Sequence, residues 1–146
     1  MSYQNPIPVV VSLVPVITAD PWPKSGLLVI RRGDEPAKGE LALPGGYLET
    51  KDGDWRVGAA RELKEELDLD VKPDQYVLFD VLSGREGALL LLFGLVKHGW
   101  LVGIKEEELP PFTPNDEVTE RLIITGPTKL AFETHTKIVE RYFLRP

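Results

Sequence analysis

Three glutamates within one helical turn, Glu62, Glu65 and Glu66, follow directly on Arg61, and no other stretch of the chain concentrates so much potential chemistry. A helix advances about 100° per residue, so with Glu62 at zero Glu66 falls near +40° and Glu65 near −60°. The carboxylates therefore share an arc of roughly 100°. On the same wheel Ala59, Ala60, Leu63 and Leu67 occupy about 60° to 160°, an apolar stripe beside the acidic face. Like charges at i,i+4, as in Glu62 and Glu66, destabilise a helix by roughly a few tenths of a kcal/mol. A merely solvated face would alternate signs. A hard divalent cation such as Mg²⁺ or Mn²⁺ wants carboxylate oxygens plus retained waters, and this turn supplies the oxygens. Arg61 is spaced to bridge to Glu65 at i,i+4, or to reach back into the acidic loop before the helix and hold a carboxylate there.

Ahead of the helix stands Leu43-Pro44-Gly45-Gly46. Its glycines let the backbone approach a ligand closely and adopt positive φ. A tight turn between two short strands would use the same residues, and both uses are compatible. Asp52 and Asp54 lie just before the helix, where negative charge meets the positive end of the macrodipole and can cap free N–H groups. Trp55 packs the helix start.

From Leu43 to Leu69 the chain resembles the Nudix hydrolases, whose motif reads Gly, five residues, Glu, seven residues, then Arg-Glu-apolar-x-Glu-Glu-x-Gly-apolar. The second half is matched by Arg61, Glu62, Leu63, Lys64, Glu65, Glu66, Leu67, Asp68 and Leu69. Six residues on from Gly46 is Asp52, whereas eight back from Arg61 is Gly53, so the loop is one residue longer than the pattern and Asp52 stands in for the first Glu. Asp68 replaces the final Gly. The resemblance implies an α/β fold, specifically an α/β/α sandwich with a mixed central sheet. It implies Mg²⁺ (or Mn²⁺) held by Glu62, Glu65, Glu66 and the carbonyl of Gly45, with Arg61 orienting the acidic cluster. It also implies a Glu shortly before the last strand that binds metal or acts as general base; Glu117 is the best-placed match, with Asp116 and Glu120 as alternatives. Arg31, Arg32, Gly46, Tyr47, Glu49 and Phe112 are the candidates for substrate contact. Two basic residues closing a strand, as Arg31 and Arg32 do, are more often plain surface, and Phe112 could equally pin its loop to the core.

The activity implied is hydrolysis of the diphosphate linkage in a nucleoside diphosphate derivative. The acidic loop followed by LAFETH at a helix start looks like the ADP-ribose pyrophosphatases of the family. A nucleoside triphosphate pyrophosphatase is the nearest enzymatic alternative. From another class comes a non-catalytic nucleotide-sensing module, which the longer loop and Asp68 keep open. Isopentenyl diphosphate isomerase, a branch that relies on a catalytic cysteine, is disfavoured because the chain has no cysteine.

Composition sets bounds that fit. A chain of 146 residues is most simply one domain, residues 1–146, and can bury its own core. A net charge of −6 argues against a broad DNA- or RNA-binding surface. An acidic protein still binds a small polyphosphate when metal ions bridge the two negative partners. The lack of cysteine removes disulfides, a thiolate nucleophile and Cys-based zinc sites. No basic-then-apolar leader and no membrane-length apolar run is present, so the expectation is a cytoplasmic protein with a small-molecule partner and no membrane or nucleic acid. A homodimer is left open.

Strands and helices flanking the Leu43–Leu69 stretch position its residues. Pro8–Thr18 reads as one buried strand, with Pro15 at an edge, a bulge or its end. Asp20–Ser25 is a turn, Gly26–Arg32 its antiparallel partner strand, and Gly33–Glu40 a polar loop. After the acidic helix, Val71–Gln75 connects to a hairpin of Tyr76–Ser83 and Ala88–Lys97 around Gly84–Gly87. Trp100–Ile104 extends the pairing, Glu106–Asn115 is an acidic, proline-rich loop, and Thr119–Thr125 is the last strand. Leu130–Leu144 is an amphipathic helix whose Ile138, Val139, Tyr142 and Phe143 cover a sheet, with His135 as a packing residue. One helix then lies on each face, and the acidic helix runs along a cleft opposite Glu117.

Overall fold

Adjacent residues of the same strand point into two different cores. In the computed structural model, which describes residues 4–98 and 103–145, Val10, Leu28 and Ile30 pack in one hydrophobic cluster, while Val11, Leu27 and Val29 pack in the other. This is the period-two alternation of strands buried on both faces. The first cluster takes in Ala59, Leu63 and Leu67 of the acidic helix, and the second takes in Ile138, Val139 and Tyr142 of the C-terminal helix. Sheets therefore form the middle layer, with a helix on each side.

The strands are β1 (Ile7–Leu13), β2 (Pro15–Ile17), β3 (Ser25–Arg32), β4 (Leu41–Ala42), β5 (Gly45–Tyr47), β6 (Tyr76–Gly84), β7 (Leu89–Val96), β8 (Ile104–Lys105) and β9 (Val118–Ile124). One sheet has the order β5-β1-β7-β6, with β1 antiparallel to β5 and parallel to β7. In the other, β3 pairs antiparallel with β2, β4 and β9, and β2 runs parallel to β8. Both are mixed, so the expected mixed layer exists as two sheets rather than one. The reason lies at Pro15. The single strand expected over Pro8–Thr18 breaks at Val14, and β1 and β2 enter different sheets. Proline has no N–H to give to a ladder, which makes it a natural changeover point. Of the pairing expected over Trp100–Ile104, Ile104 lies in β8, and residues 100–102 fall outside the described residues.

Helix α1 (Trp55–Leu67) starts where the Asp54 carboxylate accepts the Arg56 N–H at 2.8 Å. It stops at Asp68, which adopts the left-handed conformation (φ 53°, ψ 33°) and donates its N–H to the Lys64 carbonyl. Aspartate visits that region more readily than most residues, and its carboxylate meets Lys64 Nζ at 2.7 Å. The missing glycine is thereby replaced. Leu63 and Leu67 are fully buried, and each stabilises the packed helix by about 1.5–3 kcal/mol. That outweighs the few tenths lost to Glu62–Glu66 repulsion several times over. Helix α2 (Glu133–Leu144) begins three residues later than expected and buries His135, Ile138, Val139 and Tyr142. No helix among the described residues is long and apolar enough to cross a membrane.

Candidate active site

The glycine bend between β4 and β5 is pinned from three directions. The Ser12 N–H donates to the Pro44 carbonyl at 2.8 Å. The Leu43 N–H donates to His135 Nδ1 at 3.2 Å, and the Gly45 N–H donates to Glu66 Oε1 at 2.9 Å. Glycine is needed at position 46 for space, not for a left-handed backbone: a Cβ there would lie 2.4 Å from the Glu62 carboxyl carbon. The bend and the acidic turn of α1 are therefore in contact.

Two carboxylates converge there. Glu66 is 5% exposed, and its pKa is pushed well above the usual carboxylate value by burial and then by the Glu62 charge, against the pull of the Gly45 amide. The Glu62 pKa is also raised, chiefly by burial. Glu117, in the loop just before β9, adds negative field at both. Glu65 stands apart, with a half-exposed side chain 3.3 Å from Arg61, and it does not line the cleft. The helical wheel grouped it with the others, but at −60° it lies on the flank that faces Arg61 and water.

Arg61 organises the flank. Its Nε and Nη2 donate to the two oxygens of Asp52 at 2.8 and 2.9 Å, Nη1 to Glu62 at 3.1 Å, and Nη2 to the Tyr47 carbonyl at 3.2 Å. Both roles open to it in the sequence, the Glu65 bridge and the reach back to the loop, are present. Asp52, not Gly53, meets the arginine. Gly53 takes up the extra loop residue with φ +75°, where a side chain would be strained. The guanidinium lowers the Asp52 pKa to about 2.

The bend and the acidic turn form one wall of a cleft of about 850 Å³, bordered by Gly45, Gly46, Tyr47, Glu62, Glu66 and Glu117. The β6–β7 turn, Arg85–Gly87, and the start of α2 at Phe132, Glu133, Thr134 and His135 line the rest of it. Arg32 borders the cleft too, donating from Nε to the Pro36 carbonyl at 2.7 Å and lying 5.2 Å over the Phe132 ring. Three other expected substrate contacts do not line it. Arg31 is tied to Glu120 at 2.7 Å and to the Gly39 carbonyl, which also occupies Glu120 as an alternative base. Glu49 heads the turn before α1 and pairs with Lys51 at 3.0 Å. Phe112 packs against the first core cluster beside Arg121. Asp116, the other alternative to Glu117, also lies outside the lining.

Sequence reasoning missed the turn and the helix start. Nothing local marks GREG or His135 as cleft residues. The parallel register of β1 with β7 sets Val9 between Tyr47 and Leu91, all three of them lining residues, and the Leu43 amide holds His135 beside them.

The donor chemistry suits a hard divalent ion. Among the described residues no three His, Cys, Asp or Glu side chains stand as a ready-made chelate. Mg²⁺ does not ask for one: it is commonly held by one or two carboxylates, with waters and substrate phosphates completing the shell. A buried and a part-buried carboxylate, mutually repelling and both raised in pKa, are the local charge imbalance that a bound cation relieves.

A family model described as NUDIX domain matches residues 8–121. Among solved structures, a MutT/nudix family protein from Enterococcus faecalis is 20% identical, with a TM-score of 0.67 over 91% of this chain and 51% of its own. The NUDIX domain of Shewanella oneidensis NrtR, complexed with ADP ribose, is 15% identical, with a TM-score of 0.68 over 96% of this chain and 88% of its own. A bifunctional NMN adenylyltransferase/ADP ribose pyrophosphatase from Francisella tularensis, complexed with AMP and a Mn ion, is 23% identical, with a TM-score of 0.63 over 97% and 38%. The chain thus spans about half of the Enterococcus protein and less of the Francisella one. At these identities the likeness is one of fold. No curated protein matches the sequence.

Proposed function

The chain belongs to the NUDIX family, and from that premise we propose that it is a metal-dependent hydrolase cleaving the diphosphate linkage of a nucleoside diphosphate derivative such as ADP-ribose. One observation carries the reading: Glu62 and Glu66 converge, largely buried, against a glycine bend that opens into a cleft of about 850 Å³. That volume is the size of a small-molecule site.

Glu62 and Glu66 would hold Mg²⁺ or Mn²⁺, with the Gly45 carbonyl completing the protein's share by family resemblance. When bound, such an ion neutralises phosphate oxygens and lowers the pKa of a water. The chain's own residues do the rest. The Gly45 amide fixes the Glu66 carboxylate, and Arg61, itself clamped by Asp52, fixes Glu62. Arg61 is thus a positioning residue, and Glu65 steadies it. Glu117 is exposed and borders the same cleft, and it would be the general base that takes a proton from water. The ADP ribose bound by the Shewanella domain and the pyrophosphatase activity in the name of the Francisella protein favour a nucleoside diphosphate derivative over a triphosphate.

The test is a panel of ADP-ribose, NADH, diadenosine polyphosphates and nucleoside triphosphates with Mg²⁺, read by chromatography of the products. Two phosphomonoesters from ADP-ribose are expected. Release of inorganic pyrophosphate from triphosphates alone would move the assignment to the triphosphatase alternative. Tight binding with no turnover of any compound would make the protein a ligand sensor.

A further inference from the structure

His135 carries a hydrogen-bond donor that the fold does not use. Its ring is 5% exposed and sits edge-on to Phe93 and Phe132, at centroid distances of 5.9 and 5.1 Å. Nδ1 accepts the Leu43 N–H, so that nitrogen bears no proton and the neutral ring carries its hydrogen on Nε2. Burial, seconded by the Arg32 charge, keeps the ring neutral, with its pKa lowered to about 3. Among the described residues Nε2 has no hydrogen-bond partner. Among the described residues no fully buried side-chain nitrogen or oxygen lacks one, so Nε2 reaches accessible space, and the space His135 borders is the cleft.

The surroundings are donors as well. Helix α2 is 12 residues long, its N-cap is Phe132, and no side chain caps its first turn. Glu133 and Thr134 of that turn border the same cleft. Free amides at a helix start, with the positive end of the macrodipole behind them, favour an anion. Leu43, held by His135, and Gly45, held by Glu66, are two residues apart, and two residues of chain span at most about 7 Å. His135 and Glu66 are thus anchored to neighbouring points of one bend, and both border the same cleft.

We propose that His135 Nε2–H and the open first turn of α2 form an anion subsite, which takes the phosphate of the substrate that the carboxylate-bound ion does not hold. The inference rests on the diphosphate reading above for the identity of the anion. It makes His135 a specificity-determining residue of that reaction.

Two substitutions separate this from simple packing. In His135→Asn the side-chain oxygen can still accept the Leu43 N–H, but nothing reaches the place of Nε2. His135→Gln does the reverse: its amide can occupy the Nε2 position while the Leu43 contact is lost. Binding of ADP and of inorganic pyrophosphate is measured in EDTA by calorimetry, and the ring ¹⁵N shifts of the unsubstituted protein are followed by NMR. The expected result is a shift at Nε2 with both ligands, affinity weakened roughly ten- to hundredfold in His135→Asn, and affinity largely kept in the less stable His135→Gln. An Nε2 resonance that ADP and pyrophosphate leave unmoved would overturn the proposal, even if neither variant folds. So would unchanged affinity in His135→Asn, or a shift with adenosine as large as with ADP. Because these measurements need no turnover, a protein that binds pyrophosphate at Nε2 yet hydrolyses nothing would sink the hydrolase reading and leave the subsite standing.

Discussion

Arg61 grips Asp52 with two prongs of one guanidinium, Nε to Oδ1 at 2.8 Å and Nη2 to Oδ2 at 2.9 Å. Bidentate pairs of this kind are the stronger, geometrically specific ones. The Asp52 side chain is only 2% exposed, so the pair sits where water screens little. It closes the loop onto α1 and sets the angle at which Arg61 meets Glu62.

Removing one prong-holder should therefore be felt at both ends. Asp52→Asn is expected to cost about 2 kcal/mol in urea unfolding, the scale of a charge-assisted hydrogen bond lost from a largely buried site. It should also lower kcat more than it raises KM, because Glu62 loses its orientation rather than the substrate its contacts. A wild-type kcat would remove Arg61 from its positioning role.

Acid should expose the same pair. The Asp52 pKa in the fold, about 2, lies below its ordinary 3.8, so the folded state favours the charged form. The stability this contributes is complete above pH 3.8 and is lost as pH falls toward 2. Urea midpoints of wild type and Asp52→Asn should converge across that window. Parallel curves would show that the pair is not what titrates.

His135 should show a second acid step at higher pH. Its pKa falls from 6.5 to about 3 on folding, so between those values the unfolded chain binds a proton that the folded chain refuses. Stability is full above pH 6.5 and declines on acidification at up to about 1.4 kcal/mol per pH unit. In His135→Gln the decline between pH 6.5 and 4 should flatten, measured by thermal unfolding in metal-free buffer.

Glu66→Gln should cut kcat by about a hundredfold or more at saturating Mg²⁺, the scale of an ion's contribution to a phosphoryl transition state. Without metal its Tm should equal or exceed that of wild type, since one of two repelling carboxylates has been neutralised. Mg²⁺ should raise the Tm of the wild type and not of the variant. Turnover retained in Glu66→Gln would remove this carboxylate from the ion's shell.

Gly46→Ala tests the contact between bend and helix. The added methyl would meet the Glu62 carboxylate at 2.4–2.6 Å, and overpacking of this kind costs about 1–3 kcal/mol. Adding Glu62→Ala should return the lost stability without returning activity, a coupling read by a double-mutant cycle.

Much of this was written in local pattern. The stripe of Ala59, Leu63 and Leu67, the cap at Asp54 and the two reaches of Arg61 follow from helical spacing, and the structure contains them all. What local pattern carries poorly is partnership. The apolar run Pro8–Thr18 looks the same whether it serves one sheet or two, and only the pairings of Val11 with Phe93 and of Val16 with Ile104 divide it. The turn and the helix start that line the cleft were illegible for the same reason. Arg85 follows from the β1–β7 pairing and His135 from a bond to Leu43, 92 residues away, and no short window encodes either. Arg31 and Arg32 show the converse limit: they are neighbours in sequence, yet one meets Glu120 and the other the cleft.

The bend from Leu43 to Gly45 is tethered by one amide to α2 and by another to α1. These helices lie in opposite outer layers, so a five-atom stretch of backbone works like a rivet through the whole sandwich. Loosening either layer, even far from the cleft, slackens the same fastening. A lesion in the last helix is then felt as a fault in catalysis before it is seen as a fault in folding.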